Sequence, residues 1–320
     1  MAQDGPRGLQ PRPESVAQGS RRHGEVLSRR QAAGKVRRYI KSDLGQGTLI
    51  VQQSPSPTDR QAGHGGTVYL DTVSVEFKVA GVLAVDKVSL NVKSGEFVSI
   101  VGPSGCGKTT LLNYAAGLLP AWACAGTFLV GGKPPVIGNR DIAYMLARDA
   151  LAPWRTTLAN AELGTEIRGV PVEERRRRAL DLLEQVGLKG FENAYPKALS
   201  QGMRQRVALA RTFCLDSPIM LMDEPFGALD AQTKLQLEEV LLQLWQRDGR
   251  TVIFITHDLS EAVSMSDRVI VMSARPGRIV ADVPITLGRP RSVRALQKDP
   301  RFHELYSHIW SELEAGMGLS

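Results

Sequence analysis

The stretch Phe97–Leu112, FVSIVGPSGCGKTTLL, constrains the fold more than any other part of the chain. An apolar run enters a glycine-rich turn, and helix-forming residues leave it. Gly102, Gly107, Lys108 and Thr109 satisfy the pattern G-x-x-x-x-G-K-[ST], with the strand before it and the helix after it that give the pattern meaning. The glycines let the backbone come close enough for its N–H groups to face a phosphate, and a helix beginning near Lys108 adds the positive end of its dipole. In such a loop Lys108 reaches the β- and γ-phosphates and the Thr109 hydroxyl holds Mg²⁺. Pro103, Ser104, Gly105, Cys106 and Thr110 complete the candidate nucleotide cradle, Cys106 as a small filler. A tight strand-to-helix turn would account for the glycines alone but leaves Lys108-Thr109-Thr110 without a reason.

The 320 residues, 42% hydrophobic and 23% charged, suffice for a sizeable core. The net charge of +7 is concentrated in residues 1–66, which hold 11 Lys and Arg against 5 Asp and Glu. The remainder is nearly neutral, so a basic groove for nucleic acid is not expected. Residues 1–66 are also rich in Gly, Pro, Gln, Ser and Arg. We expect a disordered basic extension there, a solvated tail in preference to an anionic-membrane contact, and no secretory leader. Cys106, Cys124 and Cys214 form no C-x-x-C pair, and the five histidines show no metal-ligand spacing. Leu111–Gly132 is uncharged over 22 residues, but Asn113, Pro120 and four glycines interrupt it, so no membrane span is expected.

From Thr67 onward the chain reads as folded. Val68–Phe77 and Val88–Val92 alternate like half-buried antiparallel strands, and Gly126–Val130 and Asp141–Leu146 read as further short strands. From about Trp154 the pattern becomes helical. Val172–Val186 carries Ala179, Leu182, Leu183 and Val186 on one face, and Arg175–Arg178 form a solvated face. Ser200 is placed to cap a helix running through Phe213. Ile219–Met222 and Thr251–Thr256 read as buried strands, with an amphipathic helix through Leu237, Leu241 and Leu244 between them. Val269–Met272 and a terminal helix with Phe302, Leu305, Tyr306 and Ile309 at helical spacing follow.

The strand Ile219–Met222 runs into Asp223-Glu224, and Thr251–Thr256 runs into His257. Asp223 suits the Mg²⁺ shell, Glu224 suits a general base for the attacking water, and His257 suits a contact to the γ-phosphate. With Leu199-Ser200-Gln201-Gly202 upstream and Gly227-Ala228-Leu229-Asp230 downstream, residues 67–280 resemble the nucleotide-binding subunit of an ABC transporter. The resemblance implies an α/β fold: a P-loop NTPase core sheet with flanking helices, an antiparallel β subdomain at 67–95 and a helical insertion at about 154–203. It places the ATP-binding domain at 67–290 and a helical tail at 291–320. It also implies a head-to-tail homodimer with two ATP molecules, each held by the P-loop of one subunit and by Ser200 and Gly202 of the other. Phe77 matches the adenine-stacking aromatic, and Asp230 the residue that links the two sites.

Tyr144-Met145-Leu146, Pro153-Trp154-Arg155-Thr156, Met203-Arg204-Gln205-Arg206 and Ser273–Ile279 are similar to the ATPases of nitrate, sulfonate and taurine-type importers. That likeness implies ATP and Mg²⁺ as cofactors, two transmembrane permease subunits, an indirect external solute-binding protein and a peripheral place on the cytoplasmic membrane face. The loop Ala147–Arg155 and the helical insertion would receive the membrane partner. One departure stands out: the family's Q-loop glutamine falls at Ala147, and no Gln occurs between Gln61 and Gln185. Mg²⁺ tolerates the loss because it keeps several waters. Hydrolysis is expected to be slowed, and the alternative reading is a nucleotide-dependent switch with little turnover. Gln201, where glycine is commoner, is a milder departure. A soluble ABC ATPase of translation or repair would carry two cassettes or a long coiled coil, and neither is seen.

Overall fold

The computed structural model describes residues 66–227 and 229–318. The expectation for the N-terminal extension therefore lies outside the described residues, apart from Gly66.

Nine strands and eight α-helices are distributed over two sheets among the described residues. Strands β1 (Val68–Phe77), β2 (Val82–Val92), β3 (Phe97–Val101), β4 (Cys124–Val130) and β5 (Ile142–Met145) are interrupted by helix α1 (Lys108–Ala115). Helices α2 (Thr157–Ile167), α3 (Val172–Gln185) and α4 (Gln201–Cys214) follow, then β6 (Ile219–Asp223), α5 (Ala231–Asp248), β7 (Thr251–Ile255) and α6 (Leu259–Met265). The chain continues through β8 (Arg268–Met272), β9 (Ile279–Pro284), α7 (Val293–Leu296) and α8 (Pro300–Gly316).

The larger sheet has the order β5-β6-β7-β3-β8-β9. Its first five strands in that order are parallel, and β9 is antiparallel to β8. Every residue of β3, β6 and β7 is buried. Alternate side chains serve opposite faces, as a sheet covered on both sides requires. Phe97, Met220, Met222, Val252 and Phe254 join a cluster with α3, α4 and α5. Val98, Ile100, Ile219, Leu221, Ile253 and Ile255 join another, with α1 and the smaller sheet. A third cluster seats Phe302 and Ile309 of α8 on Val269 and Val271 of β8 and on α6.

The smaller, antiparallel sheet has the order β2-β1-β4. Two differences from the sequence reading lie here. First, β2 begins at Val82 and not at Val88, because its pairing with β1 shifts register between Leu70 and Val73, Val73 and Val75, and Val75 and Glu76. Each bulge breaks the alternation by which a strand is recognised. Second, the sheet is completed by β4, which returns after α1 to pair with β1, so it draws on residues well beyond 67–95.

Candidate nucleotide site

Parallel strands bring their C-terminal ends to one edge, where open α/β sheets hold ligands. Ile100 of β3 and Asp223 of β6 are both in register with Ile255 of β7, so the three strand ends are level. The phosphate loop leaves β3, the acidic pair leaves β6, and His257 leaves β7 at this edge.

The loop enters α1 through Gly107, whose φ of 102° is left-handed and whose missing side chain matters. A Cβ there would lie 2.7 Å from Val85 Cγ2 and 2.8 Å from the Ala84 carbonyl oxygen. Lys108 is buried, and its Nζ donates to the carbonyls of Gly102 at 2.7 Å and Pro103 at 3.0 Å. The lysine thus folds back over the hollow of its own loop. Burial pushes the Cys106 thiol up, which fits an inert filler.

Thr109 Oγ1 donates to Asp223 Oδ1 at 3.1 Å, joining the two candidate metal ligands across α1 and β6. Burial, partly opposed by this hydrogen bond, pushes the Asp223 carboxyl up. No group of three or more His, Cys, Asp or Glu among the described residues could hold a metal ion by itself. One hydroxyl and one carboxylate suit Mg²⁺, which is commonly held by one or two carboxylates plus substrate phosphates and waters.

Glu224 takes a left-handed φ of 44° and its N–H donates to the Ile255 carbonyl at 2.9 Å. A non-glycine residue costs on the order of 1–3 kcal/mol there, a strain concentrated in functional sites. Its Oε2 lies 3.2 Å from Nδ1 of the exposed His257. The carboxylate and imidazole that the sequence offered as base and phosphate contact are therefore paired.

Phe77, Ala80, Val82 and Ala84 form the apolar wall of a cleft of about 390 Å³, with Ser104, Gly105, Gly107, Lys108, Thr109, Thr110, Glu224 and Arg275 as its remaining lining. Its size and its mixed lining fit a small-molecule site, and the aromatic at one side suits a base. Gly102, Pro103 and Cys106 lie in the loop beneath. Sequence reasoning passed over Arg275 as a cleft residue. Its Ser-Ala-Arg-Pro-Gly-Arg run was legible, but the fold alone brings it beside the phosphate loop.

Ser200, Gly202 and Asp230 do not line this cleft. Ser200 caps α4, its side chain accepting from Met203 N–H at 3.2 Å, and Asp230 caps α5 by accepting from Thr233 N–H at 3.0 Å. The two helix starts abut: a Cβ on Gly202 would come within 2.6 Å of Thr233 Cγ2. Ala147 is exposed and borders a separate hollow of about 320 Å³ with Arg148, Asp149, Gln201, Gln205, Pro225 and Leu229.

This arrangement agrees with what the chain is similar to. The ABC transporter family profile matches residues 85–227. An uncharacterized ABC transporter ATP-binding protein of Methanocaldococcus jannaschii is 48% identical over 222 residues, 69% of this chain and 82% of that protein. The taurine import ATP-binding protein TauB of Rhizobium johnstonii is 41% identical over 230 residues, 71% of this chain and 87% of that protein. Among solved structures, the dimeric ATP-binding cassette MJ0796 in a post-hydrolysis state with ADP and Pi superposes with a TM-score of 0.60 at 34% identity, over 69% of this chain and all of that one. With its phosphate loop, acidic strand end and histidine on one sheet edge, the chain belongs to the ABC transporter family as an ATP-binding ATPase.

Proposed function

We propose that the chain is the motor subunit of an importer: a head-to-tail homodimer at the cytoplasmic membrane face, driving two permease subunits that receive a small anionic solute of nitrate, sulfonate or taurine type from an external binding protein. The observation that carries this reading is the division of the site within one chain. Phe77, the phosphate loop and Glu224 share a cleft, whereas Ser200 and Gly202 stand with Asp230 on a different surface. A second subunit turned head to tail would bring the missing half. The dimeric cassette and the taurine-import relative support the assembly and the solute class.

In this reading Lys108 and the N-terminus of α1 hold the phosphates, Thr109 and Asp223 hold Mg²⁺, and Phe77 stacks on adenine. Glu224 accepts a proton from the attacking water, and His257 fixes the orientation of that carboxylate and contacts the γ-phosphate. Mg²⁺ supplies charge neutralisation at the phosphates.

Steady-state ATP hydrolysis by the purified chain at saturating Mg-ATP tests the proposal, with Glu224→Gln as blank and Ala147→Gln beside it. Turnover above the blank is expected, raised by Ala147→Gln, since one positioned group at a charged transition state is worth about 10²–10³-fold. Turnover equal to the blank with ATP still bound, also when membrane partners are added, would favour the second reading, a nucleotide-dependent switch, for which the alanine at 147 is the specific observation.

A further inference from the structure

The turn between β8 and β9, residues 273–278, is fastened to the phosphate loop and leaves one cation unspent. Gly277 lies so close to the loop that a Cβ on it would fall 1.9 Å from the Cys106 carbonyl oxygen. Its N–H donates to the Ala84 carbonyl at 3.0 Å, and its carbonyl accepts from Asp86 N–H at 3.0 Å. Arg278 pairs with Asp86 at 2.6 Å, and Ala274 N–H reaches the Gly316 carbonyl on α8 at 3.2 Å. The main chain on both sides of Arg275 is therefore held by the loop, β2 and α8.

Arg275 itself is exposed and borders the cleft, and its guanidinium makes no hydrogen bond or ion pair with a described residue. The other cation of the cleft, Lys108, is occupied with two loop carbonyls. The contrast with Arg278, two residues past Pro276 and paired with a carboxylate, sets the roles of the two arginines apart.

We infer that Arg275 binds the phosphate tail of ATP from within the same subunit. Its anchor, Gly277, abuts Cys106 of the loop, which puts the arginine at the phosphate end of the cleft. A planar guanidinium offers paired donors that match phosphate oxygens, and a fixed turn lowers the entropy lost in aligning them. The inference rests on ATP occupying this cleft.

Dissociation constants of the full chain for ATP, ADP and AMP, with Arg275→Ala, Arg275→Lys and Lys108→Ala, test it. Arg275→Ala is expected to weaken ATP roughly tenfold and ADP less, to leave AMP unchanged, and to be partly restored in Arg275→Lys. Its KM for ATP should rise along with the dissociation constant. An equal loss for all three nucleotides would assign Arg275 to the base and overturn the proposal, as would no loss at all. If Lys108→Ala also binds ATP as the parent does, the cleft assignment fails first and takes Arg275 with it.

Discussion

Behind His257 sits an acidic cluster with one lysine among its members. Lys234 Nζ lies 2.5 Å from both Asp258 Oδ2 and Glu261 Oε1, and Thr256 Oγ1 also donates to Glu261. Burial, with the Glu261 charge beside it, pushes Glu238 of α5 up from the usual 4.5 to about 7. A carboxyl whose folded pKa is raised keeps its proton in the native state after the unfolded chain has released it. The contribution of this carboxyl to stability therefore falls as pH rises from about 4.5 to 7, and the loss persists above that window. Glu238→Gln keeps the shape and removes the ionisation. The unfolding free energy of this variant is expected to exceed that of the parent by roughly 1–3 kcal/mol at pH 8, with a smaller gap at pH 5. Urea unfolding at the two pH values checks this, and a gap that is the same at both would remove Glu238 as the titrating group. Nothing in the sequence marked Glu238, because its shift depends on α6 folding against α5.

Elements whose signal is local were legible, and elements defined by a distant neighbour were not. The phosphate-loop unit, the apolar strands β6 and β7 and the Ser200 cap of α4 each announce themselves within a few residues. By contrast, β9 was missed: it is an edge strand, half exposed and ended by Pro284, so its burial carries little pattern. Helix α6 was missed because six of its seven residues are buried, which erases amphipathic spacing. The catalytic candidates Asp223, Glu224 and His257 stood out as strand ends, but the left-handed Glu224 and its contact to His257 belong to the fold. The turn 273–278 joins both kinds, a readable motif whose seat on Cys106 is tertiary. Gly277→Ala would force that turn off the phosphate loop, and overpacking of this sort costs about 1–3 kcal/mol. The expected result is a lowered melting temperature together with weakened ATP binding. Parent-like affinity in a folded Gly277→Ala protein would show that the turn does not support the cleft.

At the scale of the whole molecule, no helix among the described residues is long and apolar enough to cross a membrane, and in the proposed importer the nucleotide edge acts on separate membrane subunits. In that importer the segment 147–156 would present the contact. Trp154 is 78% exposed, an unusual position for the largest apolar side chain. Its loop is nonetheless rigid: the Asn160 amide donates to the carbonyls of Ala152 at 3.1 Å, Arg155 at 3.0 Å and Thr156 at 3.0 Å, and its oxygen accepts from Ala152 N–H at 2.8 Å. Farther back, Arg211 donates to the carbonyls of Asp149 at 2.7 Å and Ala150 at 2.9 Å, while Arg204 pairs with Asp149 at 2.8 Å. Both arginines belong to α4, the helix capped by Ser200, so in the proposed dimer α4 would link that cap to the loop that shows Trp154. A tryptophan held on a fixed loop is the kind of anchor that dominates an interface. Trp154→Ala is therefore expected to cut solute uptake by more than about tenfold in cells bearing the full transporter, since truncating such an anchor costs about 2 kcal/mol or more. Basal ATP hydrolysis by the purified subunit should stay within about twofold of the parent. Asn160→Ala should reproduce the uptake loss with Trp154 still present, because it frees the loop and not the ring. Uptake that survives Trp154→Ala would move the coupling surface away from this loop, and uptake lost together with ATP binding would make the tryptophan a folding residue instead.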